Sequence, residues 1–389
     1  MPRIPAQNCC GCTACYSICP KSAIEMKEDR EGFLYPMVNV EQCVHCGLCE
    51  KVCPLYNPPP VSERFVGSVV VQNVKQEVLE ESTSGGFIDA LCEAIICQSN
   101  GFVAGVSYDE RFMPVHEIVN TQSEIRKFRN SKYAQSALGS TFIKVQKLLQ
   151  SGQTVLFVGT PCQVAGLKAF LQKEYSQLIT ADLVCRSIPS PKLWRAYLDW
   201  QEKRYKGKIR HVSCRKKTYG YHSGALEIEF INGRHYAGSN RVDYFMKSFH
   251  ADICSRPSCY ACQFKTLHRC SDFTVFDSWN PQLVACRILE DNDKGYSNVI
   301  VHSQRGIEIV SHIKSIVTLE ADVDKMFAYT GGMESNSIIR KSGRAQFYED
   351  LDQLGFEKTV QKYVKVTVKD RMIEAVKPLR YRIKRILRK

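Results

Sequence analysis

From about residue 65 onward, short runs rich in β-branched residues alternate with amphipathic stretches. The clearest unit spans Thr154 to Cys185: "TVLFVG" has the continuous apolar character of a buried strand, "CQVAGLKAFLQK" that of a helix, and "LITADLVC" that of a second strand. A strand, helix and strand in that order predict a right-handed crossover between parallel strands. Upstream, Phe87, Leu91, Ala94 and Ile95 keep helical spacing directly after the Gly-rich turn Ser82–Gly86. Such a turn offers unpaired N–H groups to an anion such as a pyrophosphate, or serves as a plain serine cap with two flexible glycines. At the far end, Met372, Val376, Leu379, Ile383, Ile386 and Leu387 fall near one helical face, with Pro378 placed to start or kink that helix.

The segment before residue 57 follows neither period. Cys9, Cys12, Cys15 and Cys19 follow C-x2-C-x2-C-x3-C-P, and Cys43, Cys46, Cys49 and Cys53 repeat it. Zinc sites take two close pairs, or cysteines mixed with histidines. Three cysteines at three-residue steps instead wrap one 4Fe-4S cube, and the fourth of each run reaches the other cube. The spacing therefore assigns Cys9, Cys12, Cys15 and Cys53 to one cluster, and Cys43, Cys46, Cys49 and Cys19 to its neighbour. Cys10 falls out of register and reads as a bystander thiol. The run "NPPP" at Asn57–Pro60 reads as a stiff linker leaving this module.

The crossover sharpens the next expectation, because parallel strands carry Cys162 and Cys185 to the same carboxyl edge of the sheet, where α/β folds place their sites. Cys259 and Cys262 add a C-x2-C on a loop. Four thiolates from one sheet edge and one loop suffice for a third 4Fe-4S cluster, with Cys254 and Cys270 as substitutes. Cys92, Cys97, Cys214 and Cys286 have no ligand spacing and read as packing. The fold class expected is thus α+β and α/β: a ferredoxin-like two-cluster module over residues 1–57, an α/β domain with a partly parallel mixed sheet over 65–330, and a basic helical tail over 340–389.

Composition narrows the function classes. Nineteen cysteines in a 389-residue chain fit a reducing cytoplasm, where they serve as thiols or metal ligands. Pro2–Ala6 offers no apolar core of a signal peptide, and no apolar run approaches a membrane span. Of the net charge of +13, nine lie between Gln361 and Lys389, where eleven Lys or Arg face only Asp370 and Glu374. The body is close to neutral, which argues against nucleic-acid binding. A basic amphipathic tail has two readings, contact with the inner face of an anionic membrane or docking on its own domain.

"STSGGF", "SKYAQS" at Ser131–Ser136 and "GTPCQVAGLKAFL" at Gly159–Leu171, followed by "PSPKLW", "RPSCYAC" and "SDFTVFDSW", together resemble the coenzyme F420 hydrogenase/dehydrogenase beta-subunit family over roughly residues 1–330. The resemblance implies an iron-sulfur flavoprotein, in which FAD handles hydride and clusters handle single electrons. By position it makes Ser84, Gly85, Gly86, Lys132, Tyr133, Gln135, Ser136 and Thr160 neighbours of the flavin. It also implies relatives encoded among capsule and exopolysaccharide genes. The chain departs from the family pattern twice. Arg186 and Ser187 follow Cys185 where His-Gly is usual, and Phe276, Asp277, Ser278 and Trp279 stand for Gly-Asp-Phe-Trp, so Phe276 is expected to fill space beside the site.

The function expected is electron exchange between a ferredoxin-type protein carrier and a small two-electron substrate. Its rival is a relay protein that binds clusters and no flavin. No G-x-G-x-x-G opens a crossover unit, so a protein carrier suits the chain better than NAD(P)H.

Overall fold

The computed structural model describes residues 6–387. Pro2–Pro5 lie outside the described residues, and of Ala6, Ile386 and Leu387 the side chains do. The expected fold class is the one the chain adopts. A short hairpin, β1 (Ile24–Glu28) with β2 (Leu34–Val38), and two short helices, Ala14–Ile18 and Leu48–Lys51, form the amino-terminal module. The body is built on eight strands. In chain order they are β3 (Gly67–Asn73), β4 (Phe102–Tyr108), β5 (Pro114–Val119), β6 (Val155–Gly159) and β7 (Leu178–Leu183), then, after a separate antiparallel sheet of β8 (Ile209–Lys216), β9 (Ala225–Phe230) and β10 (His235–Gly238), β11 (Phe273–Ser278), β12 (Tyr296–Val301) and β13 (Ile316–Glu320).

The large sheet runs β13-β3-β12-β11-β7-β6-β4-β5. Its centre, β11-β7-β6-β4, is parallel, and antiparallel pairs flank it on both sides. The predicted crossover is present: Val155–Gly159 pairs in parallel with Leu178–Asp182, joined by the helix Pro161–Leu171. Alternation of side chains across a strand divides the core. Leu156, Val158, Ile179 and Ala181 face one layer with the helix Phe87–Ser99. Val155, Phe157 and Leu178 face the other, with Val164 and Leu167 of the crossover helix and with Cys12, Ala14 and Val52 of the amino-terminal module. The module is therefore packed into the core of the body.

A second buried tie holds it there. Arg344 donates to both carboxylate oxygens of Glu31 and, through Nε, to the Ser255 carbonyl at 2.9 Å. Both side chains of the pair are less than a tenth exposed. Arg344 opens the helix Arg344–Tyr363, whose Phe347 and Leu351 share a core with Trp194, Tyr197 and Phe245. The segment expected to be a tail thus begins inside the globule, because its first helix carries aromatic residues at core spacing. Its last part behaves otherwise. Val368–Ala375 and Lys377–Leu387 leave most of their apolar side chains exposed. Among the described residues no helix is long and apolar enough to cross a membrane.

Candidate metal centres

The loop around Cys9 to Cys15 is wound by left-handed backbone at Gly11 (φ 71°) and Thr13 (φ 65°). A side chain at Gly11 would meet Gln135 Nε2 at 2.5 Å, so the loop's conformation and its close approach to the body both require glycine there. Cys9, Cys12, Cys15 and Cys53 are all at least nine-tenths buried. Burial, and behind it the Cys9 and Cys53 sulfurs, pushes Cys15 up to about 12; burial likewise raises Cys53. The second group, Cys19, Cys43, Cys46 and Cys49, lines a cavity of about 200 Å³ with Ile24, Val38 and Gly47. Left-handed turns at His45 and Gly47 bend its loop. Cys49 lies within electrostatic reach of Cys15 and Cys53, so the two groups adjoin.

A third group gathers where the parallel strands predict. Cys162 sits in the first turn of its helix, held by a reciprocal cap in which Thr160 N–H donates to Gln163 Oε1 at 2.9 Å. Cys185 lies two residues beyond β7, and Cys259 and Cys262 come from the turn Pro257–Ala261 and the residue after it. All four line one cavity of about 170 Å³. That is an order of magnitude more than the roughly 10–15 Å³ that one water needs, so the space suits a polyatomic group. Burial first, and then the three companion sulfurs, holds Cys185 far above the ordinary thiol range. Burial and Cys262 push Cys259 up to about 12.

Buried thiols that raise one another in this way keep their protons until a cationic centre displaces them and the thiolates become its ligands. Among the described residues no three His, Cys, Asp or Glu side chains converge on a single-ion position. The sulfurs of the second and third groups line open volumes instead. An iron-sulfur cube bound there would supply one-electron storage.

Cys10 is not a bystander by position. Its thiol lies within electrostatic reach of Cys12 and Cys162, and it lines the third cavity. It therefore stands between the first and third cysteine groups. Cys254 and Cys270 are removed from that cavity: neither lines it, and the Cys254 carbonyl accepts from the Tyr348 hydroxyl. Cys92 and Cys214 are buried, and Cys97 and Cys286 exposed.

Two residues without any local sequence signal complete the arrangement. Arg256 is 1% exposed and bridges the module to the body, donating from Nε to the Cys9 carbonyl (2.7 Å), from Nη1 to Gln135 (2.8 Å) and from Nη2 to the Leu34 carbonyl (2.9 Å). Its guanidinium lies 4.1 Å from the Tyr35 ring centre and lines the third cavity. Gly166 lies where the crossover helix meets Cys12. A Cβ there would stand 2.6 Å from Cys12 Cβ and 2.8 Å from its sulfur. Gly166→Ala would ordinarily favour a helix by about 1 kcal/mol. Here the collision with a ligand loop should prevail, costing about 1–3 kcal/mol in chemical denaturation and lowering bound iron. A stabilised variant with full iron would show that the contact is slack.

The residues expected around a flavin do not share one cavity. Gln135 and Thr160 line the third cysteine cavity, and Ser136 sits behind it, accepting from Gln163 Nε2 at 3.0 Å. Ser84 and Gly85 pack on Ser297, and a Cβ at Gly85 would fall 2.2 Å from the Val71 carbonyl. Lys132 gives its ammonium to the carbonyls of Lys127, Arg129 and Asn130, and burial brings it down to about 7. Tyr133 packs on Phe249. Nearby, Asp277 pairs with Arg215 at 2.7 Å and accepts from Tyr221, while Trp279 stacks on Tyr221. Lys217 ties the carbonyls of Leu79, Ser84 and Lys294 together at this edge. Neither Arg215 nor Lys217 is singled out by the sequence. Phe276 points away, into a cluster with Val70, Val284 and Met326, so it does not fill the site; Arg186 lines the third cavity and pairs with Asp252 at 2.8 Å.

Comparison with known protein families matches two segments of the chain. Residues 8–56 match the 4Fe-4S dicluster domain, and residues 152–325 match the C terminus of the coenzyme F420 hydrogenase/dehydrogenase beta subunit. The coenzyme F420-dependent sulfite reductase of Methanocaldococcus jannaschii is 24% identical over 339 residues, covering 82% of this chain and 48% of that protein. A component of the F(420)H(2) dehydrogenase of Methanosarcina mazei is 21% identical over 168 residues, 40% of this chain and 46% of that one. The chain thus spans about half the length of these relatives. A chain of the F420-reducing [NiFe] hydrogenase complex from Methanosarcina barkeri superposes with a TM-score of 0.45 at 16% identity, over 77% of this chain and 91% of that one. A 4Fe-4S dicluster domain at residues 8–56, packed against a domain similar to the C terminus of the coenzyme F420 hydrogenase/dehydrogenase beta subunit at residues 152–325, is thus what this chain shares with known proteins.

Proposed function

We propose that the chain is an electron-transfer oxidoreductase that carries single electrons from a ferredoxin-type protein carrier through three 4Fe-4S centres toward a small two-electron substrate. The ligands in this reading are Cys9, Cys12, Cys15 and Cys53 for the first centre, Cys43, Cys46, Cys49 and Cys19 for the second, and Cys162, Cys185, Cys259 and Cys262 for the third. The observation that carries it is Cys10, which lines the third cavity beside Cys162 and directly follows Cys9 of the first group. Cysteine groups placed end to end suit a wire. Cys46 is exposed, which makes the second group the natural entry for an electron from a protein carrier.

FAD, implied by the family resemblance, is the proposed converter between one-electron and two-electron chemistry. The residues nominated for it support this only at Gln135 and Thr160, beside the third cavity. The second reading, a relay that holds clusters without flavin, is favoured by Lys132, whose ammonium is already spent on three carbonyls, and by Gly85, closed off by Val71 and Ser297. No part of the proposal depends on the polysaccharide setting that the resemblance implies.

Anaerobic purification followed by mixing with dithionite-reduced ferredoxin separates the readings. The enzyme reading requires about one flavin per chain and flavin bleaching after the broad cluster absorbance. Cluster bleaching without flavin selects the relay, and no bleaching of either overturns both.

A further inference from the structure

The carboxyl-terminal helices carry an exposed apolar stripe. Val368 (75% exposed), Met372 (66%), Val376 (40%), Leu379 (61%) and Ile383 (49%) succeed one another at steps of four, four, three and four residues. That is the spacing of a single helix face, carried through Val376, whose backbone stays in the right-handed helical region. The opposite face is the one used to dock. Asp370 pairs with Arg241 and Lys247, Glu374 accepts from the backbone and hydroxyl of Ser239 at 3.0 and 2.6 Å, and Tyr381 packs edge-on against Tyr219. The segment is thus pinned to the body by its acids and presents its apolar face outward. On the helical projection Lys369 and Arg380 border the stripe on one side, and Arg371 and Arg382 border it on the other; all four are exposed.

An apolar stripe with cations along both margins fits one kind of partner. A second copy of this chain would bring the same positive margins together, and water alone leaves the stripe uncovered. We propose that this face lies on an anionic lipid bilayer surface, with the five apolar side chains in the headgroup boundary and the four cations against lipid phosphates. The two readings of the tail, docking on its own domain and contact with a membrane, are then both true, each of a different face. The inference does not rest on the redox reading.

The test uses the full chain, purified anaerobically, in sedimentation with vesicles of phosphatidylcholine alone or mixed with phosphatidylglycerol. Binding at least about tenfold stronger to the anionic vesicles at low salt is expected, with release at high salt. The double variant Met372→Gln/Leu379→Gln should lose that binding by a similar factor while keeping its iron, and Arg371→Gln/Arg380→Gln should lose the preference for anionic lipid. Equal binding to both vesicle types, or an undiminished Met372→Gln/Leu379→Gln variant, would overturn the proposal. So would a wild-type dimer, dispersed by the apolar double variant, that ignores vesicles.

Discussion

Cys162→Ser is expected to remove about four of about twelve irons per chain, one cube's worth, and to leave the amino-terminal pair in place. The expectation follows from where Cys162 sits. It occupies the first turn of a helix already fixed by the Thr160–Gln163 cap, so the substitution changes a ligand and leaves the backbone alone. Serine oxygen is a poor ligand for iron in a cluster that otherwise rests on three thiolates. The first and second groups take no ligand from this helix, and the packing of its Gly166, Val164 and Leu167 on the amino-terminal module is left in place. Iron and sulfide assays on anaerobic protein check it. An unchanged count would remove Cys162 from the ligand set.

Arg256→Gln should lower the reduction potentials of the first and third centres together. Each centre gains negative charge on reduction, and Arg256 is the cation between them, hydrogen-bonded to the Cys9 carbonyl and exerting its field on Cys162 and Cys259. A unit charge at this range and an effective dielectric near 20 is worth on the order of 1–3 kcal/mol, so shifts of roughly 50 mV or more are expected. Arg256→Lys keeps the charge and loses the fork, and should restore most of the potential while losing stability, because one ammonium cannot serve the Cys9 and Leu34 carbonyls and Gln135 in that geometry. Arg256→Ala leaves those three acceptors buried and unpaired, and should cost about 3–5 kcal/mol. EPR-monitored redox titration separates the roles: potentials unmoved in Arg256→Gln, with stability alone reduced, would make the residue a purely structural tie.

The parts of this molecule legible in its sequence are those written in local spacing. The two cysteine runs announce their grouping because each ligand loop is a few residues long and must bend at Gly11, Thr13, His45 and Gly47. The parallel pair β6-β7 is legible because a strand, helix and strand of that length close in only one way, and that alone brings Cys162 beside Cys185. What was illegible depends on docking. Cys10 lies between two cysteine groups only because the amino-terminal module packs on the helix Pro161–Leu171, and no period in the sequence records that contact. Arg256 is one of 53 Lys and Arg, and its three bonds join segments more than a hundred residues away. The flavin neighbours were transferred by position, and position cannot register that Lys132 turns back on its own loop. Phe276 was misjudged for a related reason, since a strand's alternation sends it to the face opposite Asp277.

The proposed function turns on three sets of four cysteines, held side by side, being iron-sulfur centres. The most direct measurement is the iron, acid-labile sulfide and zinc content of the intact chain prepared without oxygen. On that proposal about twelve irons, about twelve sulfides and negligible zinc are expected. Stoichiometric zinc, or iron confined to about eight atoms per chain, would contradict it.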